Sequence, residues 1–287
     1  MKWGLMINPT SGGGRGRRVG EETKSILQKR KIAFTDISGS SYESARSALR
    51  EAKNQISGLI VVGGDGIVHL AIQEIAQSPL PLVVIPAGTG NDFARMMNLP
   101  LDDPGSILDR CFENQPVAID LGKAGDEFFA DILSTGFDSV VNERANRMRF
   151  IKGQMKYTVA ILLELPLFKP IHYHFQVDSQ EFRTPAMLIA IANGSSYGGG
   201  MHVCPGADIE DGLFDLMILA PVSKIEFLKV FPKVFSGTHI THPAVSMMRG
   251  KKISVTAEAI AYADGERIGP LPISAEVVPA ALRTWKF

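Results

Sequence analysis

The sequence predicts two domains of different class: an α/β domain on a parallel sheet over residues 1–122, and a mostly antiparallel β domain, a sandwich or barrel, over 123–287. Three observations point there. Up to Asp120, apolar runs without polar alternation take turns with amphipathic segments, which is how parallel strands covered on both faces read. Beyond it the runs are short and β-like, separated by turns rich in Gly, Pro and Asp. The chain has 287 residues, 45% of them apolar, enough to bury two cores. The change of texture puts the hinge near Asp120–Gly125.

In order, WGLMIN (Trp3–Asn8) reads as a first strand that runs into a glycine-rich turn, and VGEETKSILQKRK, from Val19, as an amphipathic helix. Ser44–Asn54 is a second helix, Leu59–Val62 a strand, VHLAIQEIA from Val68 a helix, and Pro81–Pro86 a strand. NDFARMMNL is a helix that ends before Pro100. In the second domain FFADILSTGF, IHYHFQV, AMLIAIAN, LFDLMILA, KISVTA and ISAEVVP read as strands, with helices around Met155–Leu165 and Lys224–Phe235.

Composition excludes several classes. Formal net charge is zero, so nothing points to a polyanion partner such as nucleic acid. Cys111 and Cys204 lie far apart without CxxC spacing, which argues against a disulfide framework or thiolate metal site and fits a reducing cytoplasm. The start MKWGLMINPT reads as a buried strand, not a signal peptide. The most apolar stretch, Thr158–Phe168, is broken by Glu164 and Pro166, so no membrane span is expected.

Glycine clusters carry the functional signal. Asn8–Gly16 (NPTSGGGRG), Gly63–Gly66 (GGDG) and Pro86–Arg95 (PAGTGNDFAR) each follow an expected strand. Glycine lets backbone turn sharply and approach a ligand, and amides at a helix start hold phosphate. Ligands of open α/β sheets bind beyond the carboxyl ends of strands, so three such loops on one rim predict a phosphate-bearing ligand. Neither GxxxxGK[ST] nor GxGxxG occurs; Arg17 stands where the latter needs Gly. A carboxylate at Asp65, among phosphate-binding amides, makes sense if a cation such as Mg²⁺ sits between, joined by Asp92 and Asp120. The competing reading is that Asp65 and Asp92 cap helices.

GGDG, PAGTGNDFAR and NPTSGGG together resemble the nucleotide loops of the diacylglycerol kinase catalytic-domain family, which includes bacterial lipid kinases and sphingosine kinases. The resemblance continues through Asn193–Leu219 (NGSSYGGGMHVCPGADIEDGLFDLMIL), Gly237–Val245 and Ala263–Glu266 (ADGE), and so spans nearly the whole chain. It implies an N-terminal fold like NAD kinases and phosphofructokinases, a C-terminal β-sandwich, and ATP with Mg²⁺. Nucleotide contacts are implied at Asn8, Pro9, Thr10, Ser11 and Gly12, at Gly64, Asp65, Gly66, Ile67, Val68, His69 and Leu70, and at Thr89, Asn91 and Asp92. A Ser near the third strand contributes in the family; Ser40 answers to it here, with Ser41 as the alternative. Asp65, Asp92 and Asp120 would organise the catalytic Mg²⁺, and Asp211 with the carbonyls of Asp208 and Leu213 a second, structural ion. Asp264 is implied as general base with Glu266 in support; Asp-Gly is also a common hairpin turn.

Where the family continues GGDG with Thr-x-Asn-Glu, this chain has Ile67, Val68, His69 and Leu70, with His69 read as lying on the helix surface. Some relatives carry a further C-terminal segment back to the first domain, whereas this sequence ends at Phe287. His172 and His174 alternate onto the polar face of a strand. Arg144, Arg147, Arg149, Lys152 and Lys156 precede the apolar stretch Tyr157–Phe168, a pattern that suits either an anionic membrane surface or a solvated loop before a core helix. The expectation is an ATP-dependent lipid kinase, cytoplasmic with peripheral membrane association, acting on diacylglycerol; a homodimer is an assembly that the resemblance allows. Another lipid acceptor, a soluble hydroxyl compound such as NAD, or a binding protein with little turnover stand as alternatives.

Overall fold

The computed structural model describes residues 2–148 and 155–287, and divides into two compact units, Met1–Leu121 with Pro279–Phe287, and Gly122–Val278. Arg149 and Lys152 lie outside the described residues.

The first unit runs β1 (Trp3–Ile7), α1 (Ser11–Lys29), β2 (Phe34–Asp36), α2 (Tyr42–Ala52), β3 (Leu59–Gly63), α3 (Asp65–Ile75), β4 (Pro81–Pro86), α4 (Asp92–Met96) and α5 (Pro104–Glu113). Its parallel sheet has the order β2-β1-β3-β4, with Ile7 opposite Val62 and Val62 opposite Ile85. Leu59–Val62 have no exposed surface at all, because helices cover both faces. The end of the chain joins this sheet: Arg283 and Thr284 pair in parallel with Pro81 and Leu82 of β4. The sequence reading left Pro279–Phe287 with the second domain.

Two helices differ from expectation. α1 begins eight residues before Val19, in a left-handed kink with φ of 56°, 68° and 103° at Gly12, Gly13 and Gly14. α5 was not foreseen; the Asp103 carboxylate accepts from the Ser106 amide at 2.9 Å, and Pro104 occupies the first turn.

The second unit begins within β5 (Val117–Ala124). It continues β6 (Glu127–Phe129), β7 (Ile132–Gly136), α6 (Phe137–Arg147), α7 (Met155–Glu164), β8 (Ile171–Val177), β9 (Gln180–Ala186), β10 (Leu188–Ala192), β11 (Phe214–Leu219) and α8 (Lys224–Val230). It closes with β12 (Val245–Gly250), β13 (Lys252–Thr256), β14 (Ile260–Ala263), β15 (Glu266–Pro270) and β16 (Ile273–Thr284), whose last residues are those that return to the first unit. An antiparallel sheet β12-β11-β10-β7-β14-β15 faces antiparallel strands β16-β13-β8-β9. Leu133, Ile189, Ile191, Phe214 and Leu216 from one layer meet Tyr173, Phe175, Ile253 and Val255 from the other in one buried cluster, which makes this a β-sandwich.

α6 forms where a strand and loop were expected. Gly136, at φ 105°, turns the chain out of β7, and Phe137, Val141 and Ala145 then recur at helical spacing and bury together. α8 stops at Val230 and continues as a 3₁₀ turn over Phe231–Ser236, since Pro232 offers no amide to an α-helix. The basic stretch is partly neutralised: Arg144 pairs with Glu164, and Arg147 with Glu143 at 3.1 Å. His174 faces Glu181 across the β8–β9 pair at 3.5 Å. Among the described residues no helix is long and apolar enough to cross a membrane.

Candidate active site

In the first unit the three glycine loops meet at the carboxyl ends of β1, β3 and β4. The contacts leave no room for side chains. A Cβ on Gly12 would lie 2.3 Å from the Ala87 carbonyl oxygen, and one on Gly88 only 2.4 Å from the Gly64 Cα. A Cβ on Gly64 would come within 3.2 Å of Ser11 Oγ. Such approach is possible only for glycine. Asn8 shapes the first loop by accepting at Oδ1 from the Thr10 amide (3.1 Å) and hydroxyl (2.8 Å). Asn91, left-handed at φ 54°, shapes the third: its Oδ1 accepts from the Gly88 amide at 2.8 Å, and its Nδ2 donates to the Gly88 carbonyl at 3.1 Å.

Asp65 ties the second loop to the third. Its Oδ1 accepts from the Asp92 amide at 2.7 Å and its Oδ2 from the Asn91 amide at 2.9 Å, so it caps α4 although its own place is the first turn of α3. Burial pushes its carboxyl above the usual range, against the backbone amides that favour the charged form. Asp92 lies alongside: a Cβ on Gly90 would sit 2.8 Å from Asp65 Oδ2 and 3.2 Å from Asp92 Oδ2. The two carboxylates therefore flank one glycine, a hard-oxygen pair of the type Mg²⁺ takes. Asp120 is buried and accepts from the Ala280 amide at 2.8 Å, where it holds the returning chain end.

The other predicted positions fall into two groups. Thr10 and Thr89 are exposed on their loops, and Pro9 and Ser11 are half-buried. Ser38 accepts from the Ile7 amide at 2.9 Å, which brings the segment before α2 to the end of β1; Ser40 is exposed there, while Ser41 caps α2. Ile67, Val68 and Leu70 instead turn their side chains into the core. So does His69, whose Nε2 is 3.2 Å from Gln73 Nε2, and not onto the surface as the sequence reading had it. From Ile67 to Ile72 α3 is buried all round, so it has no solvent face there. What this turn can offer a ligand is backbone at Gly64–Gly66.

In the second unit Asp264 and Gly265, at φ 50° and 83°, form a two-residue turn between Ala263 and Glu266. The hairpin reading of this pair is thus realised, and the carboxylate has work as well. Asp264 Oδ2 accepts from the Ala130 amide at 2.8 Å and Oδ1 from the Asp131 amide at 2.9 Å, while its own amide donates to the Ile132 carbonyl at 3.2 Å. Glu266 is exposed on the same hairpin.

Sequence reasoning missed the groups that brace this turn. Asn193 Nδ2 donates to the Ala130 carbonyl at 2.8 Å, and the amides of Asn193 and Gly194 donate to the Asp131 carbonyl at 3.0 and 2.8 Å. Asp138 was missed too; it accepts from Ser134 Oγ at 2.5 Å and Asn142 Nδ2 at 3.2 Å, and burial raises its carboxyl pKa. A cavity of about 680 Å³ opens beside α6, with Val140, Met148, Ile171, Ala259 and Ile260 among its apolar lining.

The turn expected to hold a structural ion is formed. Asp211 Oδ1 accepts from the Leu213 amide at 3.0 Å, and Asp208 Oδ1 from the Glu210 amide at 3.1 Å. The Arg249 guanidinium binds Asp211 Oδ2 and lies 3.3 Å from Asp215 Oδ2, so the carboxylate already has a cation. Among the described residues no cluster of three or more His, Cys, Asp or Glu side chains could hold a metal; both expected sites would draw on backbone, substrate or water oxygens as well.

Comparison with known proteins matches residues 2–124 to the diacylglycerol kinase catalytic domain and residues 131–286 to the YegS C-terminal NAD kinase beta sandwich-like domain. The chain is 37% identical over 286 residues to a diacylglycerol kinase of Mycobacterium tuberculosis, covering 97% of this chain and 93% of that one. It is 29% identical over 280 residues to a diacylglycerol kinase of Bacillus subtilis, covering 93% and 90%. The crystal structure of a diacylglycerol kinase from Bacillus anthracis superposes with a TM-score of 0.80 at 19% identity, over 100% of this chain and 97% of that one, and shares its fold.

Proposed function

Because the chain belongs to the diacylglycerol kinase catalytic-domain family, we propose that it transfers the γ-phosphate of ATP to the free hydroxyl of diacylglycerol, giving phosphatidic acid. The observation that carries the reading is the convergence of the three glycine loops on Asp65, with backbone packed against backbone at Gly64 and Gly88. That geometry suits a polyphosphate and leaves no space for a bulkier side-chain site.

The first unit binds and orients ATP. Gly12–Gly14 and Gly64–Gly66 offer backbone, and Thr10, Ser11, Ser40 and Thr89 hydroxyls. Asp65 and Asp92 would hold Mg²⁺, which neutralises charge on the phosphates. The second unit presents the acceptor. Asp264, oriented by the amides of Ala130 and Asp131, takes the hydroxyl proton as the oxygen bonds to the γ-phosphorus and the bond to ADP breaks. The proton passes to solvent, and Glu266 keeps the turn acidic. The cavity beside α6 has the size for acyl chains, with an apolar wall of Val140, Met148, Ile171, Ala259 and Ile260 beside a charged one of Glu143, Arg144, Arg147, Glu164 and Glu258.

The test is transfer of labelled γ-phosphate from ATP, with Mg²⁺, to a panel of diacylglycerol, phosphatidylglycerol, a sphingoid base and NAD. Labelled phosphatidic acid is expected. A labelled product from another member replaces the acceptor, and ATP binding without any labelled product leaves a binding protein. A second ion at Asp211 predicts a melting temperature that rises with Mg²⁺ and a smaller rise in Asp211→Ala; an unchanged melt in wild type assigns Asp211 to Arg249 alone.

A further inference from the structure

We propose that the outer face of the α7–α8 layer is a docking surface for an anionic lipid bilayer, an inference that rests on the lipid-acceptor reading above. Most of the large apolar side chains exposed among the described residues fall in two short stretches, 157–167 and 225–240. Leu167 is 70% exposed, Ile225 69%, Leu162 57%, Phe235 51%, Leu163 48% and Leu228 46%. Scattered apolar residues on a surface need no explanation, but a concentration of this kind does.

The two stretches are neighbours. On their inner side the Phe137 ring meets the Phe168 ring at 5.3 Å and the Phe227 ring at 5.0 Å, both edge-on. Lys224 Nζ donates to the Phe168 carbonyl. Ala160 and Leu165 of the first stretch bury in the same cluster as Phe227 of the second. A surface helix needs one apolar face to pack. These helices have used that face and carry further apolar side chains outward.

Charge selects the occupant. The segments around these side chains hold Lys156, Lys169, Lys224, Lys229 and Lys233. Their acids are engaged within the fold: Glu164 with Arg144, and Glu226 with His242 at 3.3 Å. Exposed apolar side chains on segments that also carry lysines match acyl chains below anionic headgroups, since a lysine stem can lie along apolar surface while its ammonium meets the headgroup. A second copy packed here about a two-fold axis would set the same lysines against themselves. The arginines before α7 contribute less than the sequence suggests, since Arg144 and Arg147 are paired with Glu164 and Glu143.

The test is co-sedimentation of the full chain with vesicles of phosphatidylcholine containing phosphatidylglycerol, and with phosphatidylcholine alone. The wild type is expected to pellet with the mixed vesicles and less with the neutral ones. Leu167→Asp/Ile225→Asp is expected to bind at least about tenfold more weakly, from the apolar area it withholds from the bilayer, with an unchanged thermal melt. Lys229→Glu/Lys233→Glu is expected to lose the preference for phosphatidylglycerol. Equal pelleting of wild type and the aspartate variant overturns the proposal, as does a wild type that pellets with neither vesicle. A variant that changes the sedimentation coefficient while vesicle binding stays constant assigns the face to self-association and overturns it too. Transfer to a short-chain, water-soluble diacylglycerol, run in parallel, separates the two readings. Transfer without vesicle binding counts against this face alone, and vesicle binding without transfer counts against the kinase reading alone.

Discussion

Asp65 and Asp264 sit in different units and do the same local thing: each spreads its two carboxylate oxygens over two consecutive backbone amides of a distant loop, Asn91 and Asp92 in one case, Ala130 and Asp131 in the other. Their surroundings differ. Asp65 lies in a crowded junction, where glycines touch backbone to backbone, a second carboxylate adjoins, and burial raises the pKa. Asp264 lies on a hairpin tip, and a Cβ on its neighbour Gly265 would meet nothing within 4 Å. A carboxylate locked into a crowded junction builds a site. A carboxylate held by the same bonds at an open tip can also meet a substrate.

Substitutions can break that comparison. The largest effect is expected from Asp264→Asn, which removes the proton acceptor and sets an NH₂ against one of the two backbone amides that hold the carboxylate: transfer falls about 100- to 10,000-fold while the ATP dissociation constant, read by calorimetry, stays as in wild type. Wild-type turnover would take Asp264 out of the base role. Gly88→Ala comes next. Its Cβ would lie 2.4 Å from the Gly64 Cα, a backbone contact that cannot swing away, so it costs about 3 kcal/mol of stability and ATP binding is lost. A normal denaturation midpoint would mean that the loops do not meet as described.

Asp65→Asn turns an NH₂ toward an amide donor and costs roughly 1–3 kcal/mol, with weaker ATP binding. It also has a pH signature. Because the folded carboxyl is raised, the folded protein takes up the proton first as pH falls. The Asp65 contribution therefore makes stability rise as pH drops through the raised folded value toward the unfolded one, and fall again as pH climbs back. Asp65→Asn should lack this slope, and denaturation curves of both proteins across the acid range would show whether it does. The smallest effect is Gly265→Ala: no neighbour is struck, and only the left-handed backbone at φ 83° resists, for roughly 1–2 kcal/mol. A loss as large as that of Gly88→Ala would show the tip to be as crowded as the junction.

The comparison also shows how far the sequence could be read. The junction was legible because glycine after a buried strand has a geometric cause, and three such loops in one α/β pattern must share a rim. The sandwich was legible from its short strands. The brace behind Asp264 was not: Ala130, Asp131 and Asn193 reach it through hydrogen bonds between residues far apart in sequence, and no local pattern marks that. His69 was misplaced because the periodicity of one helix does not reveal that neighbours cover it on every side. α5 carried its signal in Asp103-Pro104, a cap followed by a first-turn proline. α6 carried a weaker one, the spacing of Phe137, Val141 and Ala145 after a glycine. The return of Pro279–Phe287 to the first unit depends on pairing with β4 and on the bond from the Ala280 amide to Asp120, which only the folded chain brings together.

The most direct test sets wild type beside Asp264→Asn in mixed micelles of diacylglycerol, with labelled ATP and Mg²⁺, and reads labelled phosphatidic acid against time. The account predicts product from the wild type and at least about 100-fold less from the variant, at the same ATP affinity. Equal rates from the two proteins, or no phosphatidic acid from either while ATP is bound, would contradict it.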